Sequence, residues 1–180
     1  LGNLDPKVQL SVISQFEKRP KFTMLDTMNF WMDNTLDNLL KIISKVDLLC
    51  INDEEVIQLS GCEDYKNGIK KILTMGPKYL IMKKGEYGST LYSDNLEFFC
   101  PSFKVKKVID PTGAGDSFAG AFAGHLAESK NYTFESISSA LIYANAVASF
   151  CVEKFGIENM LNISKDEIDK RISFIKKHNN

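Results

Sequence analysis

Apolar residues along the chain follow two alternating patterns, one typical of buried strands and the other of amphipathic helices. Short apolar runs predict buried strands over residues 22–26, 47–51 and 79–82. Helical spacing of apolar residues predicts helices over residues 5–17, 33–46, 52–59, 65–75, 116–129, 133–152 and 165–177. Strands that alternate with helices predict an α/β fold with a mostly parallel sheet and helices on both of its faces.

Two further segments add to this sheet. Residues 89–92 and 96–100 flank Asp94-Asn95, which predicts a β-hairpin in the middle of the chain. Residues 104–109 alternate between basic and apolar positions, which predicts another strand whose lysines face solvent. Since no repeat, linker or low-complexity segment interrupts the pattern, residues 1–180 are expected to form a single domain.

The composition is that of a soluble globular protein, with 44% hydrophobic residues, 25% charged residues and a net charge of −1. This balance argues against nucleic acid as a partner, because nucleic-acid-binding proteins usually carry a basic face. The longest uncharged run, residues 136–152, contains four serines and an asparagine. It is therefore interpreted as a buried helix, and no membrane partner is expected.

The cysteines and the start of the chain bear on its cellular context. None of the four cysteines lies in a CxxC spacing, which predicts free thiols in a reducing compartment. With only two histidines, no usual zinc spacing can be assembled. No secretory leader is visible, so a cytoplasmic location is expected. The chain begins Leu1-Gly2-Asn3 without a methionine, which we interpret as a fragment whose upstream sequence is missing.

Residues 110–116, Asp-Pro-Thr-Gly-Ala-Gly-Asp, carry the strongest chemical signal. They lie between a predicted strand and a predicted helix. Small residues let backbone N–H groups approach a ligand, and a helix N-terminus favours negative charge there. The segment is thus expected to cradle a phosphoryl group, beside which Asp116 could accept a hydroxyl proton. On spacing alone, a plain loop with Asp116 as an N-cap is an equally good interpretation.

Two commoner phosphate-binding motifs are missing from the sequence. No GxxxxGK[ST] string occurs, which excludes a P-loop of the usual kind. Gly113 and Gly115 begin a GxGxxG dinucleotide fingerprint, but Phe118 stands where its third glycine belongs.

The string DPTGAGDSF resembles the C-terminal signature of PfkB-family kinases, usually DTxGAGD, with Pro111 in place of a threonine. Other motifs of the family follow in order: NxxE at 52–55, a Gly-x-x-Gly nucleotide turn at 85–88, and segments at 143–146 and 154–156 that resemble those near the adenine and the monovalent cation. The resemblance covers nearly the whole chain. It implies a ribokinase-like fold, of which this chain would be the C-terminal, nucleotide-binding part, with the N-terminal part and its lid absent.

The resemblance assigns the chemical step to the glycine-containing loop. Asp116 would be the general base that takes the proton from the substrate hydroxyl. Gly113, Ala114 and Gly115 would form an anion hole, in which backbone N–H groups stabilise the charge on the phosphoryl oxygens in the transition state.

The resemblance places the nucleotide against Gly85, Gly88, Lys83, Lys84 and Asn145. The two glycines would shape the turn that contacts it. The two lysines would either reach phosphates or only be solvated. The amide of Asn145 lies on an apolar helix and needs a partner, which would be either the adenine edge or a neighbouring backbone group.

Two cation sites are also implied. Asn52 and Glu55 would lie near Mg²⁺ and the phosphates through water, unless Asn52 merely caps a helix. Asp110, Thr112 and Gly156 would help to hold K⁺.

A substrate contact is suggested by Asn29, which follows a strand end. Ligands gather at such ends in open α/β sheets. The alternative is that Asn29 only forms a turn.

The expected function is ATP-dependent transfer of the γ-phosphoryl group to a hydroxyl of a sugar or nucleoside, with Mg²⁺ and a K⁺ site. Two alternatives stay open: a non-catalytic nucleotide-binding or regulatory module, and an enzyme of different chemistry on a similar fold. The sequence does not choose among sugars and nucleosides. A homodimer contact would involve the absent lid, and the fragment alone could bind nucleotide without turning over substrate.

Overall fold

A computed structural model describes residues 1–179 of the chain. The helices are α1 Pro6–Ser14, α2 Asn29–Asn34, α3 Leu36–Ile43, α4 Asp53–Ser60, α5 Tyr65–Leu73, α6 Ala114–Ser129, α7 Phe134–Cys151 and α8 Lys165–Lys177. The strands are β1 Met24–Asp26, β2 Leu48–Asn52, β3 Tyr79–Lys83, β4 Ser89–Tyr92 and β5 Glu97–Cys100. Short 3₁₀ turns occupy Gly85–Tyr87 and Met160–Asn162.

The five strands form one sheet in the order β1-β2-β3-β4-β5. Strand β2 pairs in parallel with both β1 and β3, as the alternation of strands and helices predicted. The first four residues of β2 and of β3 are all buried, so both faces of these strands are covered. The predicted hairpin is present as β4 and β5, where the N–H of Ser93 donates to the carbonyl of Leu96 at 2.9 Å. The α/β fold prediction is confirmed.

Several helix ends follow from capping residues visible in the sequence. The Asp5 side chain accepts a hydrogen bond from the Lys7 N–H and caps α1. Helix α4 begins after Asn52 and ends at Gly61, whose φ of 64° is the left-handed conformation that glycine adopts most easily. Ser164 opens α8 with a capping box.

Internal contacts divide the chain into two compact units. The first unit comprises residues 1–83 and 91–97, and the second comprises residues 84–90 and the chain from residue 98 onward. The prediction of a single domain stays a prediction.

In the first unit, α1 packs on α3, while α4 and α5 pack on each other and on the central strands. Apolar side chains from the strands and helices form its core, and the following have no exposed surface: Leu25, Leu39, Ile42, Leu49, Ile51, Val56, Ile72 and Leu80. Burial of this apolar surface is the main force that holds the strand ends in place.

In the second unit, α6 packs along α7, and α7 packs on α8. Helix α6 buries Phe118, Phe122 and Leu126, which recur every four residues and therefore share one face. Arg171 of α8 lies over the ring of Phe150 with its guanidinium carbon 3.4 Å from the ring centroid. Among the described residues, no helix combines the length and apolar character needed to cross a membrane.

The predicted strand over residues 104–109 is wrong. The segment is irregular, and no strand among residues 1–179 pairs with it. The N–H groups of Ile109 and Asp110 donate instead to the carbonyl of Val152, at 2.8 and 3.3 Å. Alternating basic and apolar residues favour a strand only when a neighbouring strand supplies the ladder of hydrogen bonds.

Several helix boundaries also differ from the prediction, including the end of α1, which lies at Ser14 and not at residue 17. The helix expected over residues 33–46 corresponds to α3, and the sequence did not predict α2, which begins at Asn29. The two helices are separated at Thr35, whose φ of −143° and ψ of 38° lie outside the helical region. The helix expected to begin at Asp116 begins at Ala114, so Asp116 is not its N-cap. Gly113 is the N-cap and is left-handed, with a φ of 79°.

Candidate active site

Three polar residues lie at the carboxyl ends of neighbouring parallel strands in the first unit. Asp26 ends β1, Asn52 ends β2 and Lys83 ends β3. In the strand register, Asp26 stands opposite Cys50 and Lys83 stands opposite Asn52. Because parallel strands share the edge at which they end, all three residues meet at the edge where α/β proteins usually bind ligands.

Asn52 and Glu55 of the NxxE motif form a capping box. The Asn52 N–H donates to Glu55 Oε2, and the Glu55 N–H donates to Asn52 Oδ1, both at 2.8 Å. The interpretation that Asn52 caps a helix is thus confirmed. The box does not use Asn52 Nδ2 or Glu55 Oε1, so the predicted role near Mg²⁺ stays compatible with it.

Glu55 is a buried carboxyl group, only 4% exposed. Burial raises its pKa, while the hydrogen bond from the Asn52 backbone and the charge of Lys83 act in the opposite direction. An ionised carboxyl group is costly to bury unless its oxygens find partners, and the capping box uses only Glu55 Oε2.

Lys83 does not point freely towards solvent. Its ammonium group forms an ion pair with Asp26 Oδ1 at 2.9 Å. Burial alone would lower the pKa of Lys83, but the negative charges that Cys50 and Asp26 can carry raise it overall. Since burial raises the pKa of the Cys50 thiol to about 12, Cys50 is neutral near pH 7, and Asp26 is the effective partner of Lys83.

The Gly-x-x-Gly turn follows β3. Gly85 and Gly88 both have positive φ, of 52° and 100°. The Lys84 N–H donates to the Gly88 carbonyl at 2.8 Å and closes the turn. A Cβ at Gly88 would meet backbone atoms of residues 100–102, whereas a Cβ at Gly85 would meet no atom within 4 Å. Gly88 is therefore required by the fold, while Gly85 leaves room at the surface for a ligand.

Asn145 on α7 is held by protein groups. Its Nδ2 donates to Ser89 Oγ at 2.7 Å and to the Leu141 carbonyl at 2.9 Å. Both N–H bonds of the amide are thus used inside the second unit. The Leu141 carbonyl is the neighbouring backbone partner that the sequence offered as an alternative, and the contact of Asn145 with adenine stays a prediction.

The loop that the sequence predicts to cradle a phosphoryl group leads into the start of α6. Gly113 is followed by Ala114, Gly115 and Asp116 in the first turn of the helix, and the Ser117 N–H makes the first helical bond, to the Gly113 carbonyl at 2.8 Å. The Ala114 N–H donates to the Pro111 carbonyl at 3.2 Å. Among residues 1–179, no acceptor meets the N–H groups of Gly113, Gly115 and Asp116.

The structure brings together the three residues predicted to hold K⁺. Asp110 Oδ1 accepts from the Thr112 N–H at 2.9 Å, and Asp110 Oδ2 accepts from the Gly156 N–H at 3.5 Å. The Thr112 N–H is the main reason why the pKa of Asp110 is lowered. The buried thiol group of Cys151 contacts two of these residues. Its Sγ atom lies 3.6 Å from the Thr112 carbonyl oxygen and 3.9 Å from the Gly156 carbonyl oxygen.

Asn29 is the first residue of α2 and is half-buried, so the structure gives it a helical position in place of the turn that the sequence suggested. Sequence reasoning missed Asp26 and Ser89. Asp26 could have been found, because an acidic residue directly after an apolar strand lies at the ligand edge of the sheet. Ser89 gave no signal, since its role depends on a helix far along the chain.

No group of three or more His, Cys, Asp and Glu side chains within residues 1–179 is arranged to hold a metal ion by itself. Such an arrangement is not needed for Mg²⁺ bound with a nucleotide. That ion usually keeps several waters and takes one or two carboxylates together with phosphate oxygens.

Comparison with known proteins places this α/β chain in one protein family. Residues 8–163 match the family described as pfkB family carbohydrate kinase. The match covers most of the chain, so the chain belongs to the pfkB family.

Relatives and solved structures agree with this assignment. A cytidine kinase of Thermococcus kodakarensis is 30% identical over 68% of this chain and 45% of that protein. The crystal structure of the nucleoside kinase of Methanocaldococcus jannaschii, an archaeal member of the ribokinase family, has a TM-score of 0.77 at 27% identity, over 96% of this chain and 55% of that one. An E. coli protein assigned as Ribokinase II, in complex with ATP and Mg²⁺, has a TM-score of 0.66 at 29% identity, over 85% of this chain and 48% of that one.

The ribokinase-like fold is thus confirmed. The chain spans about half the length of these three proteins, with shares of 45%, 55% and 48%.

Proposed function

We propose that this chain is part of an ATP-dependent kinase that transfers the γ-phosphoryl group of ATP to a hydroxyl group of a sugar or nucleoside. The observation that carries the proposal is the start of α6. There, N–H groups without acceptors among the described residues and the exposed carboxylate of Asp116 lie within one helical turn. A site for phosphoryl transfer needs both an anion cradle and a base for the incoming hydroxyl.

In the proposed mechanism, Asp116 acts as the general base. A carboxylate oxygen accepts the hydroxyl proton while the hydroxyl oxygen forms a bond to the γ-phosphorus. The bond between that phosphorus and the oxygen bridging to the β-phosphate breaks, and ADP leaves with the electron pair. Asp116 lies in the first turn of α6, where the helix N-terminus carries partial positive charge.

The anion hole is proposed to use the loop predicted from the sequence, Gly113, Ala114 and Gly115, with one refinement. Since the Ala114 N–H is taken by Pro111, the proposed donors are the N–H groups of Gly113, Gly115 and Asp116. Ala114 contributes by its small size. Fixed N–H donors stabilise transition-state charge without reorganising, and loss of one such donor in other enzymes costs about 10²–10³ in kcat.

The nucleotide and the cations are assigned to the remaining residues. ATP would meet the turn at Gly85, near Gly88 and Lys84, with Asn145 offering Oδ1 to the adenine. Asn52 and Glu55 would hold Mg²⁺ through water. The pairing of ATP with Mg²⁺ is supported by the E. coli protein that was crystallised with both. When bound, Mg²⁺ would neutralise charge on the phosphate oxygens.

A K⁺ site is proposed at Asp110, Thr112 and Gly156, where backbone carbonyls and a carboxylate oxygen lie together. Oxygen atoms are the ligands that such hard cations prefer. Pro111 leaves these carbonyl groups available. Asn29 remains a candidate for substrate contact, because α2 follows the carboxyl end of β1.

Sugars and nucleosides are both retained as acceptors, because the relatives include a cytidine kinase, a ribokinase and a fructokinase. A cytoplasmic location is proposed on the free state of all four cysteines, which suits a reducing compartment. A homodimer contact through the lid stays a prediction.

The test is ADP release by the longest natural form of the protein that carries this chain, with Mg²⁺ and K⁺, against a panel of sugars, sugar phosphates and nucleosides. The proposal predicts that one class of acceptor stimulates ADP release well above the rate with ATP alone. ATP binding without stimulation by any acceptor would contradict it and would favour a nucleotide-binding module.

A further inference from the structure

A buried ion pair joins two strands that are not neighbours in the sheet. Lys83 Nζ and Asp26 Oδ1 are 2.9 Å apart, and their side chains are only 21% and 11% exposed. Asp26 ends β1 and Lys83 ends β3, so the pair crosses the end of β2, where Cys50 and Asn52 stand opposite them.

The ammonium group of Lys83 is therefore held in the ion pair with Asp26, and most of its side chain is buried. A lysine that binds phosphates directly usually presents a mobile head group at the surface of the site. If Lys83 turned towards a ligand, the carboxylate of Asp26 would lose its partner in a buried position, which is strongly unfavourable. This geometry argues against the direct phosphate contact that the sequence suggested.

The pair lies beside the NxxE capping box. Lys83 and Asp26 are both close enough to Glu55 for their charges to interact with its carboxyl group. Lys83 is the last residue of the strand on one side of β2, and Asp26 is the last residue of the strand on its other side. An ion pair that fixes both flanking strand ends also fixes the turn between them.

We propose that Asp26 is a positioning residue for the reaction. It holds the Lys83 ammonium group across the end of β2, and the pair keeps the Asn52–Glu55 turn in the place and charge environment needed to meet Mg²⁺ and the phosphates. Lys83 then acts as a fixed internal charge and not as a phosphate ligand. This inference rests on the proposed kinase function and adds Asp26 to its machinery.

The test compares Asp26→Asn, Lys83→Met and the double variant Asp26→Asn/Lys83→Met in the longest natural form of the protein. Each is assayed for kcat, for KM of ATP and acceptor, and for the Mg²⁺ concentration that gives half-maximal activity. The matched control is Arg19→Met, which removes an ion pair of similar length, 2.8 Å to Asp47, whose arginine side chain is 66% exposed. Thermal unfolding is measured for all four variants.

Each single variant is expected to lower kcat or raise the Mg²⁺ requirement roughly 10- to 100-fold, as loss of residues that orient metal ligands does elsewhere. The double variant is expected to be no worse than the more severe single variant, because both remove one shared interaction. Arg19→Met is expected to match the wild type in every assay.

Two outcomes would overturn the inference. If Lys83→Met raised the KM for ATP while Asp26→Asn left it unchanged, Lys83 would be a direct phosphate ligand. If both variants lost only thermal stability and kept wild-type kcat and Mg²⁺ dependence, the pair would be structural.

Mg²⁺-dependent ATP binding, measured by calorimetry, separates this inference from the proposed function. Wild-type protein that binds Mg·ATP but phosphorylates no acceptor would contradict the kinase function alone. In that case, unchanged Mg·ATP affinity in both variants would still overturn the positioning role, and a matched loss in both would support it.

Discussion

Gly88 lies so close to Cys100 that a Cβ at position 88 would stand 2.2 Å from the Cys100 carbonyl oxygen. The contact packs the second glycine of the Gly-x-x-Gly turn against the end of β5 and the two residues that follow it. Gly85, three residues earlier, has a positive φ but open space around it. Gly88 is therefore constrained by a close backbone contact and by its positive φ, whereas Gly85 is constrained by its positive φ alone.

This difference predicts that the same substitution, glycine to alanine, destabilises the protein more at position 88 than at position 85. Gly88→Ala is expected to lower the free energy of unfolding by about 3 kcal/mol or more, because a backbone clash adds to an unfavourable φ. Gly85→Ala is expected to cost only about 1–2 kcal/mol, for the left-handed conformation alone. Urea unfolding of both variants measures this. Equal unfolding midpoints for the two variants would show that the close contact does not exist.

A second prediction concerns Thr27, whose buried hydroxyl group has no hydrogen-bond partner within residues 1–179. Thr27→Val keeps the shape and removes the unsatisfied group, so the free energy of unfolding is expected to rise by about 1 kcal/mol. Thr23→Val is the matched control, since Thr23 Oγ1 donates to Asp47 Oδ2 at 2.8 Å. That variant is expected to lose about 1 kcal/mol. A loss of stability in Thr27→Val would mean that its hydroxyl is bonded after all.

Cysteine reactivity gives a pH-dependent prediction. Burial raises the pKa of Cys50 and of Cys100 to about 12, whereas Cys62 is partly exposed. A thiol reacts as its thiolate, so at pH 8 only about one in 10⁴ of the buried thiols would be reactive. Mass spectrometry after brief alkylation is expected to find Cys62 modified first, and labelling of Cys50 and Cys100 to increase as the pH rises. Rapid labelling of Cys50 at pH 8 would contradict its buried position.

Local features of the fold were predictable from the sequence, and long-range ones were not. The caps at Asp5, Asn52 and Ser164 fixed helix starts because capping involves residues only two or three positions apart. The Asp26–Lys83 pair joins residues 57 positions apart, and the Asn145–Ser89 bond joins residues 56 apart. Such contacts depend on strand order, which the spacing of apolar residues does not contain.

The same difference between local and long-range contacts determines which features of the candidate site can be predicted from the sequence. The glycine-containing loop and the NxxE motif are short strings whose local geometry follows from their residues, so both can be located from the sequence alone. Lys83 is paired with Asp26, and Asn145 is hydrogen-bonded to Ser89. Fewer atoms of these two side chains are therefore available to bind a ligand. In each case the fold, and not the motif, decides which atoms remain available.

Asp116 is the proposed base for phosphoryl transfer, and the kcat of Asp116→Asn with the best acceptor tests this role most directly. Asparagine keeps the size of the side chain but cannot take the proton. We predict a fall in kcat of roughly 10²–10⁴-fold, with the ATP affinity and thermal unfolding close to those of the wild type. A variant that kept wild-type kcat would show that another group serves as the base and would contradict the mechanism proposed for this site.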